Sequence, residues 1–157
     1  MTKSKKIKVG LWLILASISI GLFVAIYLFF QPHRDVVAAN ADYELAASEL
    51  VSEYLKDANL ANQKYLDTEG ESKIIAVSGI VSGIEDDMEG NKVVLLKDET
   101  DKAGVSCTFT PQTNGKTNLL SKGQTVSLKG VIRSGASFDS DLGLFENVIL
   151  DKCDLVK

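Results

Sequence analysis

The chain has 157 residues, with 17 lysines and arginines against 21 aspartates and glutamates, for a formal charge of −4. Residues 1–34 hold five bases and no acid, a sum of +5, while residues 35–157 hold the other 12 bases and all 21 acids, a sum of −9. Such a split excludes a simple soluble cytosolic protein, and residues 35–157 suit one domain with a modest core.

The first predicted element is a membrane anchor. Val9–Phe30 runs 22 residues without a charged side chain, and a transmembrane helix needs about 20 apolar residues to cross about 30 Å of hydrocarbon. Trp12 and Tyr27 lie near its ends, where amphipathic rings favour the interfaces, and Gln31-Pro32-His33-Arg34 stops it. Four lysines precede the segment and only Arg34 follows closely. The positive-inside rule therefore makes residues 1–8 a basic cytoplasmic tail, with the acidic domain outside. The expected protein is a single-pass resident of the cytoplasmic membrane, N-terminus inside, its domain extracytoplasmic or periplasmic. A cleaved signal peptide is the competing reading, with Ala39-Asn40-Ala41 as an A-x-A site. Against it, a signal's apolar region is about 7–15 residues, and the site lies far beyond Phe30. No cysteine precedes Cys107, which excludes a lipidated N-terminal cysteine. Ser17, Gly21 and Ala25 share one helix face, a pattern that permits weak homodimerisation but is also common in membrane helices.

A linker over 31–45 leads to the exported domain, 46–157. From Ala46 to Tyr65 the pattern is helical, with Leu50, Val51, Tyr54, Leu55 and Ala58 on one apolar stripe. Tyr43, Tyr54 and Tyr65 recur at intervals of eleven and read as core. After Gly70 the period falls from 3.6 to 2. Strands are predicted over 73–85, 92–97, 105–110, 124–134 and 145–156, with loops at 85–91 and 135–144 and a short helix over 113–120 carrying Leu119 and Leu120 inward. Gly79 and Gly83 mark a bend or bulge in the first strand.

Five strands, the first bent and with a short helix between the third and fourth, follow the order of an OB-fold barrel. The expected class is mainly β with an N-terminal helix, a five-stranded OB-fold barrel preceded by one transmembrane helix. Residues 43–157 resemble the bacterial tRNA anti-like family of membrane-bound or lipoprotein OB-fold proteins. The resemblance rests on Tyr43-Glu44-Leu45 leading into Ser48-Glu49-Leu50-Val51, on Ala61-Asn62-Gln63-Lys64-Tyr65, and on Val77-Ser78-Gly79-Ile80-Val81. Gly104-Val105-Ser106-Cys107, Lys122-Gly123-Gln124-Thr125-Val126 and Val148-Ile149-Leu150-Asp151-Lys152-Cys153 extend it. Where the family often has threonine at the helix cap, this chain has Ala46, which halves the capping box with Glu49. The resemblance implies the fold and carries little function.

Candidate chemistry is sparse. His33 is the only histidine and lies at the membrane boundary, so the domain holds no Ser-His or Cys-His pair. No phosphate loop, zinc set or EF-hand spacing is present, so neither a metal, a cofactor nor an enzymatic activity is expected. Cys107 and Cys153 fall on strands that neighbour each other in an OB-fold, within reach of a structural disulfide. The alternative is two small buried hydrophobes, and register decides between them. Single-strand binding by an OB-fold uses a basic groove and stacking aromatics. Here the third strand shows Ser106, Thr108 and Thr110 outward, and both ligand loops are acidic, so nucleic acid is disfavoured. The expected activity is binding of a protein or envelope ligand, with Thr108, Phe138, Asp139 and Asp141 as the candidate face and a basic partner favoured by charge. An oligosaccharide- or nucleic-acid-binding module, and a purely structural envelope protein, are the alternatives.

Overall fold

The computed structural model describes residues 3–29, 35–67 and 72–156, in two units that divide after Asp35. The first unit contains one helix, α1 (Lys3–Phe29), about 40 Å long at 1.5 Å per residue. It starts six residues before the expected Val9, because nothing in the basic tail breaks a helix. Its described side chains, Trp12, Ala16–Tyr27 and Phe29, are exposed, including Ser17 and Ala25 of the small-residue face. Among the described residues, no helix is long and apolar enough to cross a membrane. The transmembrane expectation over 9–30 is therefore matched by a helix and not by a demonstrated span. Phe30 and the stop sequence over 31–34, His33 included, lie outside the described residues, as does Gly70.

The second unit starts earlier than the boundary expected at Ala46. Val36 is buried, and the Lys129 ammonium donates to the carbonyls of Val37 and Ala39 at 2.7 Å each. Most of the expected linker thus belongs to the folded domain. Tyr43–Ala46 forms β1, parallel to the start of β2 (Ile74–Asp86). Four residues carry too little alternation to announce a strand.

The helix expected over 46–65 is two helices, α2 (Ala47–Lys56) and α3 (Ala58–Tyr65). Asp57 divides them with extended backbone, φ −156° and ψ 93°. Its carboxylate accepts from the N–H groups of Asn59 at 3.1 Å and Leu60 at 3.0 Å. Aspartate gains more as an N-cap than inside a helix, so it stops one helix and starts the next. Leu50, Val51 and Tyr54 are buried as the stripe predicts, but the break turns Ala58 to solvent. Tyr65 lies between the other two tyrosines, with ring centroids 5.1 Å from Tyr43 and 6.1 Å from Tyr54.

The strands close into a barrel. Beyond β2 they are β3 (Lys92–Leu96), β4 (Val105–Phe109), β5 (Thr125–Ser134) and β8 (Val148–Leu155). A short hairpin, β6 (Ser137–Asp139) and β7 (Leu144–Glu146), separates the last two. The pairing order is β2-β3-β4-β8-β5, with β5 returning to β2. Ile74–Ile80 of β2 pairs with β5, and Val81–Asp86 pairs with β3, the change falling at a register shift between Val81 and Gly83. Gly83 thus marks a bulge, as predicted, whereas Gly79 lies in regular pairing with β5. The β4–β8 pair is parallel, and the other barrel pairs are antiparallel.

Between β4 and β5 the expected short helix is a 3₁₀ turn, Asn114–Leu119. Leu120 is buried but Leu119 points to solvent, because a 3₁₀ turn carries neighbouring residues to different faces. The loop expected over 135–144 holds the β6–β7 hairpin, so Phe145 belongs to that hairpin and not to the last barrel strand. Inside the barrel, Val77, Val81, Val94, Leu96, Val105, Leu128 and Leu150 are fully buried, each contributing about 1.5–3 kcal/mol of apolar burial.

Gly135 marks the tightest fit between helix and barrel, since an added Cβ would lie 1.9 Å from the Tyr54 ring. Gly83 has nothing within 4 Å of that position. Gly135→Ala is expected to lower unfolding stability by about 3 kcal/mol, at the upper end of overpacking costs. Gly83→Ala is expected to cost less than about 1 kcal/mol. Urea denaturation followed by circular dichroism measures both.

Candidate ligand-binding surface

Chain order in β8 does not give its facing pattern. Strict alternation from Val148 would turn Leu150, Lys152 and Asp154 to the interior. Instead Val148, Leu150, Cys153 and Asp154 are buried, while Lys152 is exposed. The cause is Lys152 itself, at φ 55°, the one non-glycine residue with positive φ among the described residues. Opposite it, the register slips on both sides, between Cys107 and Phe109 of β4 and between Lys129 and Val131 of β5. The bulge keeps an ammonium out of the barrel at a cost of about 1–2 kcal/mol for a left-handed L-residue.

That turn of the chain opens a cleft of about 480 Å³. Asp87, Glu89 and Asn91 of the β2–β3 loop form one wall. Thr108, Phe109, Thr110 and Pro111 at the end of β4 form the floor, and Arg133, Asp151 and Lys152 form the far side. Most of its charges are already engaged. The Asp87 carboxylate accepts from the N–H groups of Glu89 and Asn91, both at 2.8 Å. The Asn91 backbone N–H is the main cause that holds its pKa below the usual carboxylate value. Arg133 pairs with Asp151 at 2.9 Å. A carboxylate held that low, as Asp87 is, is not poised to take or give a proton near neutral pH. Among the described residues, what remains for a ligand is the Thr108 hydroxyl, the Glu89 carboxylate and the Lys152 ammonium.

The β6–β7 hairpin is a second, separate surface. Phe138 pairs with Phe145 across the ribbon, their ring centroids 4.8 Å apart. Phe138 is 54 % exposed, Leu142 71 %, Leu144 62 % and Phe145 37 %. The Asp139 carboxylate caps the turn by accepting from the N–H groups of Asp141 at 2.8 Å and Leu142 at 3.1 Å. Ser137 donates to Glu146. Gly143, at φ 65°, completes the turn.

Of the residues singled out from sequence, Phe138, Asp139 and Asp141 thus share the hairpin, whereas Thr108 lines the cleft. The sequence reading missed Arg133, Asp151, Lys152, Leu142, Leu144 and Phe145. Phe145 was detectable as an aromatic beside an acidic loop, but the bulge that exposes Lys152 leaves no local signal.

The two cysteines lie inside the barrel as free thiols. Cys153 donates to the Leu150 carbonyl at 3.4 Å. Burial, followed by the neighbouring Cys107, pushes the Cys153 thiol well above its ordinary pKa. A Cβ at Gly130 would stand 2.5 Å from its sulfur, so the strand beneath has no room for a side chain. Beside it, Lys116 reaches the buried Asp154 carboxylate at 2.6 Å and fixes the 3₁₀ turn against β8. Among the described residues, no group of three or more His, Cys, Asp or Glu side chains could hold a metal ion.

On the opposite flank, Glu53 accepts from Tyr65 at 2.8 Å and from Lys64 at 3.0 Å. Burial raises the Glu53 pKa, but these hydrogen bonds and the Lys64 charge together bring it below the usual value. The Tyr54 hydroxyl is buried without a partner in the described structure, and burial raises its pKa to about 12. These groups tie α2 to α3 and lie on neither binding surface.

The closed five-stranded barrel, with its parallel β4–β8 pair and the 3₁₀ turn before β5, defines an OB-fold domain. The chain belongs to the tRNA_anti-like family, whose model matches residues 1–141. The match takes in α1 and ends within the β6–β7 hairpin, so its extent differs from 43–157 at both ends. A solved structure from Klebsiella pneumoniae subsp. pneumoniae MGH 78578, named as a lipoprotein with a proposed nucleic acid-binding role, is similar at 19% identity and a TM-score of 0.55. The likeness covers 81% of this chain and 100% of that one, and at this identity it bears on the fold alone. The S. pombe Stn1–Ten1 complex is similar at 23% identity and a TM-score of 0.36, over 54% of this chain and 58% of that one. No curated protein matches. The fold and the family match give no support to setting nucleic acid aside.

Burial and the raised pKa of Cys153 predict that neither thiol reacts rapidly with Ellman's reagent at pH 8 in the native protein. Unfolding in denaturant without reductant should release two thiols per chain. Rapid labelling of the native protein would contradict the burial, and a count of zero on unfolding would reveal a disulfide.

Proposed function

We propose that this chain is a membrane-anchored, non-enzymatic binding module whose OB-fold domain lies outside the cytoplasm and takes a protein or envelope ligand. The observation that carries the reading is the cleft between the β2–β3 loop and the end of β4. It offers open hydrogen-bonding groups at Thr108, Glu89 and Lys152, while its other charged groups are locked in pairs or caps. Such a cleft suits recognition, and the Asp87 cap and the Arg133–Asp151 pair favour binding over chemistry.

The anchoring part rests on sequence. Five bases and no acid precede or flank a 22-residue uncharged stretch, and a continuous helix covers residues 3–29. Charge supports the ligand class. A domain of net −9 repels a phosphate backbone and attracts basic partners.

A second reading, single-stranded nucleic acid, is favoured by one observation. Phe138 and Phe145 form an exposed aromatic pair, with the Lys102 ammonium 5.5 Å from the Phe145 ring centroid. Stacking aromatics beside a cation are the elements of single-strand recognition. Against it stand Asp139, Asp141 and Glu146 on the same ribbon.

A photoreactive residue in place of Thr108, in native membranes, is expected to give a specific protein or glycan adduct that nuclease leaves intact. The same residue in place of Glu44, on β1, should give none. Absence of any specific adduct from Thr108, together with no glycan bound on an array, would overturn the binding-module reading. An adduct removed by nuclease would move the assignment to the second reading.

A further inference from the structure

The β6–β7 ribbon pairs with no other strand among the described residues, yet it is ordered by its own devices: the Asp139 cap, the Ser137–Glu146 bond, the Gly143 turn and the aromatic pair. Phe138 and Phe145 are directly opposed and so share one face. Asp139 and Leu144 are the next opposed pair and lie on the other face. Leu142 stands at the tip. One face of the ribbon is therefore aromatic, the other sets Leu144 among Ser137, Asp139 and Glu146, and the tip is apolar. A loop that needed only to connect β5 to β8 would gain nothing from exposing four large apolar side chains.

We propose that this hairpin is a protein-docking finger, which inserts its apolar tip into a groove on a partner protein whose rim is basic. The inference deepens the binding-module reading and rests on it, but it places the contact on a surface separate from the cleft. Charge selects the occupant. The finger carries Asp139, Asp141 and Glu146, and among the described residues Lys102 is the one cation in ring contact with it. A second copy docked finger to finger would oppose three carboxylates to three, and an anionic lipid surface or a phosphate backbone would meet the same carboxylates. A groove rimmed with lysine or arginine meets complementary charge as the apolar tip desolvates. Order before binding favours affinity, because the finger has little freedom left to lose.

The probe is a fluorescent amphipathic peptide of leucine and lysine, titrated against the full chain in nanodiscs of neutral phosphatidylcholine, with empty nanodiscs subtracted. The wild type is expected to bind saturably. Leu142→Ser and Leu144→Ser, each on an exposed position, should each weaken binding at least tenfold without changing the circular dichroism spectrum. Asp141→Lys should weaken it several-fold at low salt and less at high salt. A leucine–glutamate peptide of the same length should bind at least tenfold more weakly.

Unchanged affinity in both serine variants would overturn the proposal. So would equal binding of the acidic peptide, or tighter binding of a deoxythymidine oligonucleotide or anionic vesicles through the same residues. Self-association lost in Leu144→Ser would assign the finger to a second copy instead. Thr108→Val, in the cleft, should leave peptide affinity unchanged. If the finger variants have no effect while the Thr108 adduct in membranes persists, the finger falls and the binding-module reading stands.

Discussion

Strand β2 has to satisfy two barrel partners along one length of chain, besides the short β1, and the barrel exists because it can. Its first half hydrogen-bonds to β5 and its second half to β3, with the change of partner at the bulge between Val81 and Gly83. A flat strand would pair with one neighbour along its length and leave the sheet open, with an unpaired edge. The bend lets Val77 and Val81 face one interior, so burial and closure reinforce each other. α2 depends on the same strand, since a Cβ at Gly79 would meet the Ala47 Cβ at 3.1 Å and the Leu96 Cβ at 3.2 Å.

Closure at β2 leaves β8 to reconcile three demands, because it pairs with β4 on one side and β5 on the other while carrying a charged sequence. The left-handed Lys152 resolves the conflict by turning its own side chain outward and bringing Cys153 inward in its place, while Asp154 stays buried against the 3₁₀ turn. Asp154 is tolerable inside only because Lys116 meets it, so the 3₁₀ turn belongs to the same solution. The outward Lys152 then becomes a wall of the cleft. The candidate binding surface is thus a by-product of how the barrel closes as much as of the loops around it.

Much of this fold was legible in the residues. The alternation of Val105, Cys107 and Phe109, the glycines in β2 and the tyrosines spaced eleven apart all reported packing that the structure repeats. The misses share a cause, which is that they depend on side-chain hydrogen bonds or registry between distant strands. Asp57 reads as one more polar residue on a helix face until its carboxylate caps the helix that follows. Lys152 reads as an inward strand position until the pairing with β4 and β5 slips. The hairpin at 137–146 is too short for a periodic pattern, and its order comes from Asp139 and Gly143 within the turn. Of the candidate site, the acidic loops and Phe138 were visible in composition, whereas the separation of cleft from finger required the three-dimensional pairing.

An OB-fold with an exposed aromatic pair has the shape of a single-strand binder and the charge of something else, and the function we propose requires that charge prevail. The affinity of the full chain in neutral nanodiscs for a labelled deoxythymidine oligonucleotide, followed between about 50 and 200 mM salt, tests this most directly. No saturable binding is expected at the lower salt concentration. Micromolar or tighter binding that falls steeply as salt rises would contradict it.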